Sequence, residues 1–293
     1  ILTPADLARA WTNPCRLFCE RTLGLRFPEP EEEVEDVEPL AMDALTATRL
    51  ADWLVARRLR EGRTDDEGDV LAARGDLPPA RLGRAFQSKL EDQAAPVLNR
   101  VAEMTFLDPV DLAVTGNEWT LSGRVEGLTA QARVQYRCAA VKPKDLVRAW
   151  VTHLLLNAAH RDALPRVSLL IGRNAALRLN PVEDAAVLLD ALAAGCRRAL
   201  TGPVPFFQDA SCAFASRLNR SGKSDNPAES AWKDAYTAWY GNRFFAVDGD
   251  RDDPYVALCF RGCDPLRDRS EEFEALAREF WDPLFAHAEE VEP

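Results

Sequence analysis

The alternation of hydrophobic and polar residues is clearest between residues 111 and 160. In the stretch 119–126 the residues that share one face are Trp119, Leu121, Gly123 and Val125. Such alternation is typical of a strand with one buried face. With a strand before it and a third at 132–137, where Val134 and Tyr136 share a face, the pattern predicts a β-meander.

A helical period replaces the alternation after residue 142, where Pro143 and Asp145 are typical of a helix start. The stripe that follows consists of Leu146, Trp150, His153, Leu154 and Asn157. We interpret His153 as a packed, hydrogen-bonded residue of this helix. A short apolar strand at 167–172 and a helix at 181–200 come next. This order predicts an α/β fold with a restriction-endonuclease-like core, a small mixed sheet flanked by helices.

The first hundred residues are predicted to be helical. Apolar residues at helical spacing indicate helices at three places, 4–24, 40–61 and 80–106. Pro96 breaks or kinks the last of these. We divide the chain into a helical part at 1–107, with an acidic loop at 28–39, and an α/β core with C-terminal helices at 108–293. The two parts are expected to form one compact domain, since 293 residues with 47% hydrophobic content bury an ample core.

The charge of the chain argues against an autonomous nucleic-acid binder. Its net charge is −11 at pH 7, whereas affinity for DNA depends largely on Lys and Arg that neutralise phosphates. Much of the excess lies in the acidic loop. The arginines of the N-terminal helices, among them Arg57, Arg58 and Arg74, are interpreted as a solvated face balanced by Asp and Glu. Contact of this face with DNA is the alternative.

The sequence carries no signal for a membrane or for secretion. No stretch approaches the roughly 18 apolar residues of a membrane span. The chain starts with Ile and no signal-peptide pattern follows, so we expect a fragment of a longer, cytoplasmic protein. The seven cysteines lack the density of a secreted disulfide scaffold. An iron–sulfur cluster needs four thiolates, and we interpret the pairs Cys15/Cys19 and Cys259/Cys263 as buried thiols instead.

Four segments of the chain match one known family. They are LTPADLARAWTNPCRLFCERTLGLRF, LSGRVEG…ARVQYR, KDLVRAWVTHLLLNA and DDPYVALCFRGCDPL…EEFEALAREFWDPLFAH. The chain resembles, over nearly its whole length, the C-terminal nuclease-like domain of RecC, the gamma subunit of the RecBCD helicase-nuclease (exodeoxyribonuclease V). The resemblance implies a core of the PD-(D/E)XK type, in which carboxylates hold a divalent cation and a Lys aligns the attacking water.

The nuclease motifs of the active, RecB-type relatives are altered here. Those relatives carry G-x-x-x-H, G-x-h-D (h apolar) and D-Y-K. In this chain Gln87 stands in the place of the His, and Glu126 in that of the strand Asp. Gln135 and Arg137 replace the Asp and Lys of the last motif, which leaves a neutral amide and a fixed cation. The resemblance therefore implies an inactive nuclease fold, without catalytic residues and without a metal site.

The function that the resemblance implies is structural. It is that of a non-catalytic, DNA-handling domain in an ATP-dependent helicase-nuclease for double-strand-break repair by homologous recombination. The expected roles are strand splitting, strand guidance and docking of RecB-like and RecD-like subunits, with DNA bound in the assembled complex. No cofactor is expected in this domain, whereas ATP and Mg²⁺ are expected in the partner subunits.

Two other hypotheses about function stay open. The first is an active metal-dependent nuclease with a rearranged site, in which Glu126 acts with Glu118 or Asp111. The second is a partner-binding scaffold unrelated to DNA repair, for which the matched segments would be chance.

Two aromatic-rich helices near the C-terminus give further predictions. The helix at 271–287 has more apolar residues than one stripe needs, and part of that surface is expected to meet another subunit. The aromatic residues at 232–240 are interpreted as core, with a base-stacking platform as the alternative.

Overall fold

The fold combines helices with two small sheets. The computed structural model describes residues 1–28, 42–78, 80–220, 226–242 and 247–291. The helices are α1 (Pro4–Thr12), α2 (Pro14–Arg21), α3 (Ala44–Glu61), α4 (Glu67–Ala73), α5 (Ala80–Val101), α6 (Pro143–Ala158), α7 (Ala185–Thr201), α8 (Gln208–Asn219), α9 (Pro227–Tyr240), α10 (Pro254–Cys259), α11 (Pro265–Asp268) and α12 (Ser270–His287). The strands are β1 (Val110–Thr115), β2 (Thr120–Val125), β3 (Arg133–Tyr136), β4 (Ser168–Ile171), β5 (Ala176–Leu179) and β6 (Ala288–Val291).

These elements confirm the predicted α/β class. The predicted acidic loop at 28–39, apart from Pro28, lies outside the described residues. The boundary at residue 107 stays a prediction. Within the described ranges, no helix is both long and apolar enough to cross a membrane.

The strands form a hairpin and a four-stranded sheet. β1 and β2 pair antiparallel from Val110↔Val125 to Thr115↔Thr120. The second sheet has the order β3-β4-β5-β6, in which β3 and β4 are parallel and the other pairs antiparallel. The predicted order of strands and helices is found, with β5 as an additional strand before α7. The sheet is mixed, as predicted.

The predicted β-meander is wrong at its last step. β3 forms its ladder with β4, and its link to the end of β2 is an isolated bridge between Leu128 and Arg133. The chain turns out of the hairpin at Gly127, where φ is 74°. A Cβ at this position would lie 2.1 Å from the carbonyl oxygen of Val134, so the close approach of the two segments requires glycine. Parallel pairing of β3 and β4 uses α6 as the crossover helix.

The single N-terminal helix predicted at 4–24 is two helices. Thr3 and Asp6 form a capping box at the start of α1, and Pro4 occupies its first turn. Asn13 ends α1, and its side-chain oxygen accepts the backbone N–H of Arg16 at 2.8 Å. Pro14 has no N–H to continue the first helix, so the chain restarts as α2.

The hydrophobic core centres on α6, which packs against α1 and α7. Trp150, Leu154 and their neighbours on α6 are fully buried. A second cluster joins α2 to α8, α9 and α10, and its aromatic members include Phe207, Phe214 and Trp239. α9 therefore packs mainly through its aromatic face, as the sequence predicted, although Tyr240 is 44% exposed.

The apolar surface of α12 does not face another subunit, contrary to prediction. Its residues Phe273, Leu276, Ala277, Phe280, Trp281 and Leu284 are at most 2% exposed. The helix lies between the two clusters just described: Phe273 belongs to the aromatic one and Trp281 to the one around α6. A helix that packs on two sides needs a wider apolar face than one that packs on one.

His153 is buried and hydrogen-bonded, which confirms its interpretation as a packed residue. One ring nitrogen lies 2.9 Å from the carbonyl oxygen of Asn180 and the other 2.9 Å from the hydroxyl of Ser168. Because a carbonyl only accepts, Nε2 carries the proton and Nδ1 accepts from Ser168. Burial lowers the pKa of His153 to about 4, so the imidazole is neutral at pH 7. It ties α6 to β4 and to the end of β5.

Candidate functional site

Gln135, which is predicted to stand in the place of a nuclease carboxylate, lies on β3. Residues alternate between faces along a strand, so Arg133 and Gln135 lie on one face while Val134 and Tyr136 pack on the hydrophobic cluster beneath α3 and α5. The side-chain oxygen of Gln135 accepts a hydrogen bond from Nη2 of Arg133 at 3.1 Å. The amide of Gln135 is thus engaged with a cation of its own strand.

Arg137 is held in an ion pair with the start of α6. Its Nη1 lies 2.5 Å from Oδ2 of Asp145, which is 4% exposed as a residue. The same carboxylate oxygen accepts the backbone N–H of Lys142 at 3.0 Å. A guanidinium fixed in this way stabilises the helix start and is not free to align a water molecule.

Gln87 and Glu126 are not drawn into this contact. Gln87 lies on α5 and packs against α4, where a Cβ added to Gly68 would be 2.3 Å from its side-chain oxygen. Glu126 is exposed just after β2, and its charge acts on Arg133 without forming an ion pair within the described part of the chain. Of the four positions, Gln135 lies on β3, Arg137 directly after β3, Glu126 directly after β2 and Gln87 on α5.

The hairpin register bears on the rearranged-nuclease hypothesis. Glu118 lies at the tip between β1 and β2, with φ of 65°, whereas Glu126 follows the opposite end of the hairpin. Five strand steps separate the two ends, about 17 Å, so the two carboxylates do not share a cation. Asp111 is opposite Arg124 and 4.0 Å from its Nη1, so a cation already lies beside it. Among the described residues, no group of three or more His, Cys, Asp or Glu is arranged to hold a metal ion.

A recess with only basic charge opens on this face. It has a volume of about 770 Å³ and lies between α1, β2, β3 and α6. Four arginines line it, and they are Arg9, Arg124, Arg133 and Arg148. Gln135 also lines it, and neither Asp nor Glu does. We call this the cationic recess.

A second recess continues the basic surface along α2. It has a volume of about 760 Å³ and shares Arg9, Thr12 and Arg148 with the cationic recess. Its further lining includes the basic residues Arg16, Arg26 and Lys144, the aromatic Phe27, and the acidic Glu20, Asp250 and Asp253. We call this the α2 recess. Together the two recesses form a continuous surface across α1 and α6.

This basic surface was not predicted from the sequence. Basic charge was expected on the N-terminal helices, where Arg57, Arg58 and Arg74 each have a carboxylate partner at 2.6–3.0 Å. The predicted balance by Asp and Glu is found for these three, but the prediction of a solvated face is wrong for Arg57 and Arg58, whose side chains are only 12% and 10% exposed. The recess arginines come from α1, β2, β3 and α6, which the fold brings together. The local signal in the sequence was the pair Lys144 and Arg148, which are spaced at i and i+4 on α6.

The cysteines fit the buried-thiol interpretation with two exceptions. Cys15, Cys19, Cys138, Cys196 and Cys212 are buried, whereas Cys259 is partly exposed and Cys263 exposed. Cys259 Sγ lies 3.6 Å from Cys19 Sγ. Hydrogen bonds from the thiols of Cys15 and Cys19 lower the pKa of Cys259 to about 7, although burial opposes the shift.

Comparison with known proteins defines the class of this chain. The family model of the RecC C-terminal domain matches residues 1–219, about three quarters of the sequence, and the chain belongs to this family. The predicted resemblance is confirmed.

Similar curated proteins carry one description, RecBCD enzyme subunit RecC. The Mycobacterium tuberculosis (H37Rv) protein is 27% identical over 97% of this chain and 27% of its own length. The Escherichia coli K12 protein is 22% identical over 95% of this chain and 25% of its own length. The Haemophilus influenzae protein is 23% identical over 58% of this chain and 16% of its own length. The chain thus spans about a quarter of these relatives.

Proposed function

We propose that this chain is the C-terminal part of a RecC-type subunit and serves there as a non-catalytic structural and DNA-handling domain. Its partners are RecB-like and RecD-like subunits of a cytoplasmic helicase-nuclease that acts in double-strand-break repair by recombination. Strand splitting, strand guidance and docking of these subunits are its roles. ATP and Mg²⁺ act in the partner subunits, and the α/β core is a degenerate nuclease of the PD-(D/E)XK type.

The observation that carries the proposal is the charge of the cationic recess. A phosphodiester-cleaving site of this type needs carboxylates that hold a divalent cation. Here Gln135 and Arg133 lie on the corresponding strand, and the recess in front of them is lined by arginines without Asp or Glu. Such a surface repels a divalent cation and attracts phosphate, which favours binding of DNA over its cleavage.

Cleavage by the complete RecC-type subunit, purified without its partners, tests the absence of catalysis. Linear single- and double-stranded DNA are incubated with Mg²⁺ or Mn²⁺, beside the Glu126→Ala variant. We expect no cleavage above the buffer control by either protein. Metal-dependent cleavage that Glu126→Ala abolishes would contradict the proposal and establish an active nuclease with a rearranged site.

Co-purification tests the assembly. RecB-like and RecD-like subunits expressed with the complete RecC-type subunit are expected to elute with it as one complex. Removal of residues 1–293 from that subunit is expected to weaken the retention of at least one partner. Full retention of both partners without this domain would exclude the docking role.

A further inference from the structure

Arg133 lines the cationic recess with donors that are buried and without a partner. Its Nη2 donates to Gln135, but its Nε and Nη1 are buried and have no hydrogen-bond partner among the described residues. These two nitrogens carry three of the five N–H donors of a guanidinium. Burial lowers the pKa of Arg133 to about 10, which still leaves it charged at pH 7. A buried cation with unpaired donors is costly unless an anion completes its contacts.

The chain itself offers no such anion within the described residues. Glu126 acts on Arg133 only at longer range, and neither Asp nor Glu lines the recess. Arg9 donates to Asp6 at 3.4 Å, whereas the other two neighbouring cations are weakly engaged. Arg124 has a carboxylate only at 4.0 Å, and the exposed side chain of Arg148 forms no ion pair with a described residue. Arg133 lines the recess, so an anion bound there lies next to this guanidinium, whose Nε and Nη1 are buried in the structure without an anion.

The shape of the basic surface favours a chain of anions over a single small one. The cationic recess shares Arg148 and Arg9 with the α2 recess, which adds Arg26 and Lys144 along the same path. A strand of nucleic acid carries phosphates at regular intervals and would meet these cations in succession.

The acidic residues of the α2 recess are already bound to the chain. Glu20 pairs with Arg16 at 2.7 Å, and Asp253 caps α10 through the N–H groups of Tyr255 and Val256. Asp250 accepts the N–H of Ala210 at the start of α8 at 2.7 Å. These carboxylates are committed to helix ends and to an arginine, which reduces the repulsion of phosphate in this recess.

An aromatic ring marks the far end of the path. Phe27 lines the α2 recess and is 38% exposed, and its ring packs edge-on against Tyr255 at 4.9 Å between centroids. Exposed rings beside basic residues are the platforms on which bases of single strands stack. The bases of a duplex are stacked on each other and leave no face for such a ring, so the combination favours a single strand.

We propose that the degenerate nuclease face is a binding path for single-stranded DNA, in which Arg133 and Arg148 hold phosphodiester groups and Phe27 stacks on a base. This inference rests on the proposed DNA-handling function and names the ligand and the residues. The predicted replacement of a motif carboxylate by Gln135 then changes the site from one that cuts a strand to one that holds it.

Photo-crosslinking in the assembled enzyme tests the path locally. The complete RecC-type subunit, in complex with its partners and with EDTA to suppress cleavage, is mixed with a thymidine strand that carries 5-iododeoxyuridine. Irradiation attaches the modified base to adjacent aromatic rings, and mass spectrometry identifies the peptide. We expect a crosslink at Phe27. Arg133→Met is expected to reduce its yield about tenfold at limiting strand concentration, and Arg133→Lys by less, since the charge remains.

Two further variants keep the test decisive. Arg148→Met changes an exposed residue and is expected to reduce the crosslink several-fold without affecting folding. Arg197→Met removes the same charge from an exposed position on α7 outside both recesses, and is expected to leave the yield within about twofold.

Four outcomes would overturn the proposal, and they have different consequences. A crosslink at Phe27 of equal strength in Arg133→Met and Arg148→Met would exclude phosphate binding by these arginines. Crosslinks elsewhere in this chain would exclude the path and leave the DNA-handling function in place. Crosslinks to the partner subunits alone would count against both. A glutamate-rich peptide that displaces the labelled strand at a lower concentration than unlabelled strand does would assign the path to an acidic protein segment.

Discussion

Two regions of this molecule are rich in arginine and use it in opposite ways. On α3, Arg57 donates to Asp66 at 3.0 Å, and Arg58 donates to Glu67 at 2.6 Å. In the cationic recess, Arg133 and Arg148 have no carboxylate partner in the described structure. The first arrangement satisfies charge within the chain and stabilises the fold. The second leaves charge available to a ligand. The number of arginines in a segment therefore says less about nucleic-acid binding than their partners do.

The pair of Arg58 and Glu67 is the strongest test of the first half of this comparison. Glu67 is 2% exposed, and its hydrogen bond with Arg58 raises the pKa of that arginine. We expect Glu67→Ala to lower the free energy of unfolding by about 3 kcal/mol, because it leaves a largely buried guanidinium without its main partner. Denaturant unfolding followed by circular dichroism measures the change.

Glu91→Ala is the matched control for this substitution. Glu91 is a second partner of Arg58 at 3.1 Å, but its side chain is 30% exposed. We expect a loss of no more than about 1 kcal/mol, since solvent screens the pair. Equal and small effects of both variants would mean that pairing does not hold these arginines in place, and the contrast with the recess would fail.

His153 adds a third case to the comparison: a buried polar side chain that is hydrogen-bonded within the chain and carries no charge at pH 7. Its pKa is about 4 in the folded chain, because of burial, against about 6.5 when unfolded. Below pH 6.5 the unfolded chain takes up a proton that the folded chain does not. Stability is therefore lost as the pH falls from about 6.5 to about 4, by up to about 3 kcal/mol.

The variant His153→Gln isolates this contribution. Glutamine can donate to the carbonyl of Asn180 and accept from Ser168, but it does not titrate. We expect the difference in unfolding free energy between the two proteins to shrink or reverse between pH 7 and pH 4. A difference that stays constant with pH would show that His153 is protonated in the folded chain as readily as in the unfolded one.

Much of the fold was predictable because its strands and helices bury one face each. The alternation around Leu121 and the stripe around Trp150 located β2 and α6 within a few residues. β6 was missed for a physical reason: it consists of Ala-Glu-Glu-Val at the edge of the sheet, largely exposed, and continues directly from α12. The break at Asn13 was missed because the apolar pattern continues across it, and only Pro14 marks the restart.

The candidate site was predictable only in part. Of the predicted motif positions, Gln135 lies on β3 and Arg137 directly follows that strand. The cationic recess depends on which elements pack together, and Arg9 and Arg148 meet there from helices more than a hundred residues apart. Net charge pointed away from this surface, because a sum over the chain does not register how charges separate in space.

Arg137 tests whether the partner of an arginine also decides its function next to the cationic recess. It directly follows β3, and its guanidinium is bound to the buried carboxylate of Asp145. We expect Arg137→Met to lower the free energy of unfolding by about 1–3 kcal/mol, because Asp145 loses its cation. Affinity for single-stranded DNA, measured by fluorescence anisotropy, is expected to stay within about twofold. A large loss of affinity with unchanged stability would reverse the assignment of this arginine.

The smallest effect is expected for Arg124, which stands between the two arrangements. It lines the cationic recess, yet Asp111 lies 4.0 Å away on β1 and both side chains are more than half exposed. Such a pair contributes little to stability, so we expect Arg124→Met to change the free energy of unfolding by less than about 0.5 kcal/mol. If Arg124 contacts a phosphate, Arg124→Met reduces the magnitude of the slope of log affinity against log salt concentration by about 1.

Asp111→Asn is the converse variant: it removes the competing carboxylate and is expected to raise the affinity for single-stranded DNA by up to about threefold at low salt. A loss of affinity in Asp111→Asn would mean that Asp111 positions Arg124 for the strand, and that an arginine with a partner can bind DNA as well as one without.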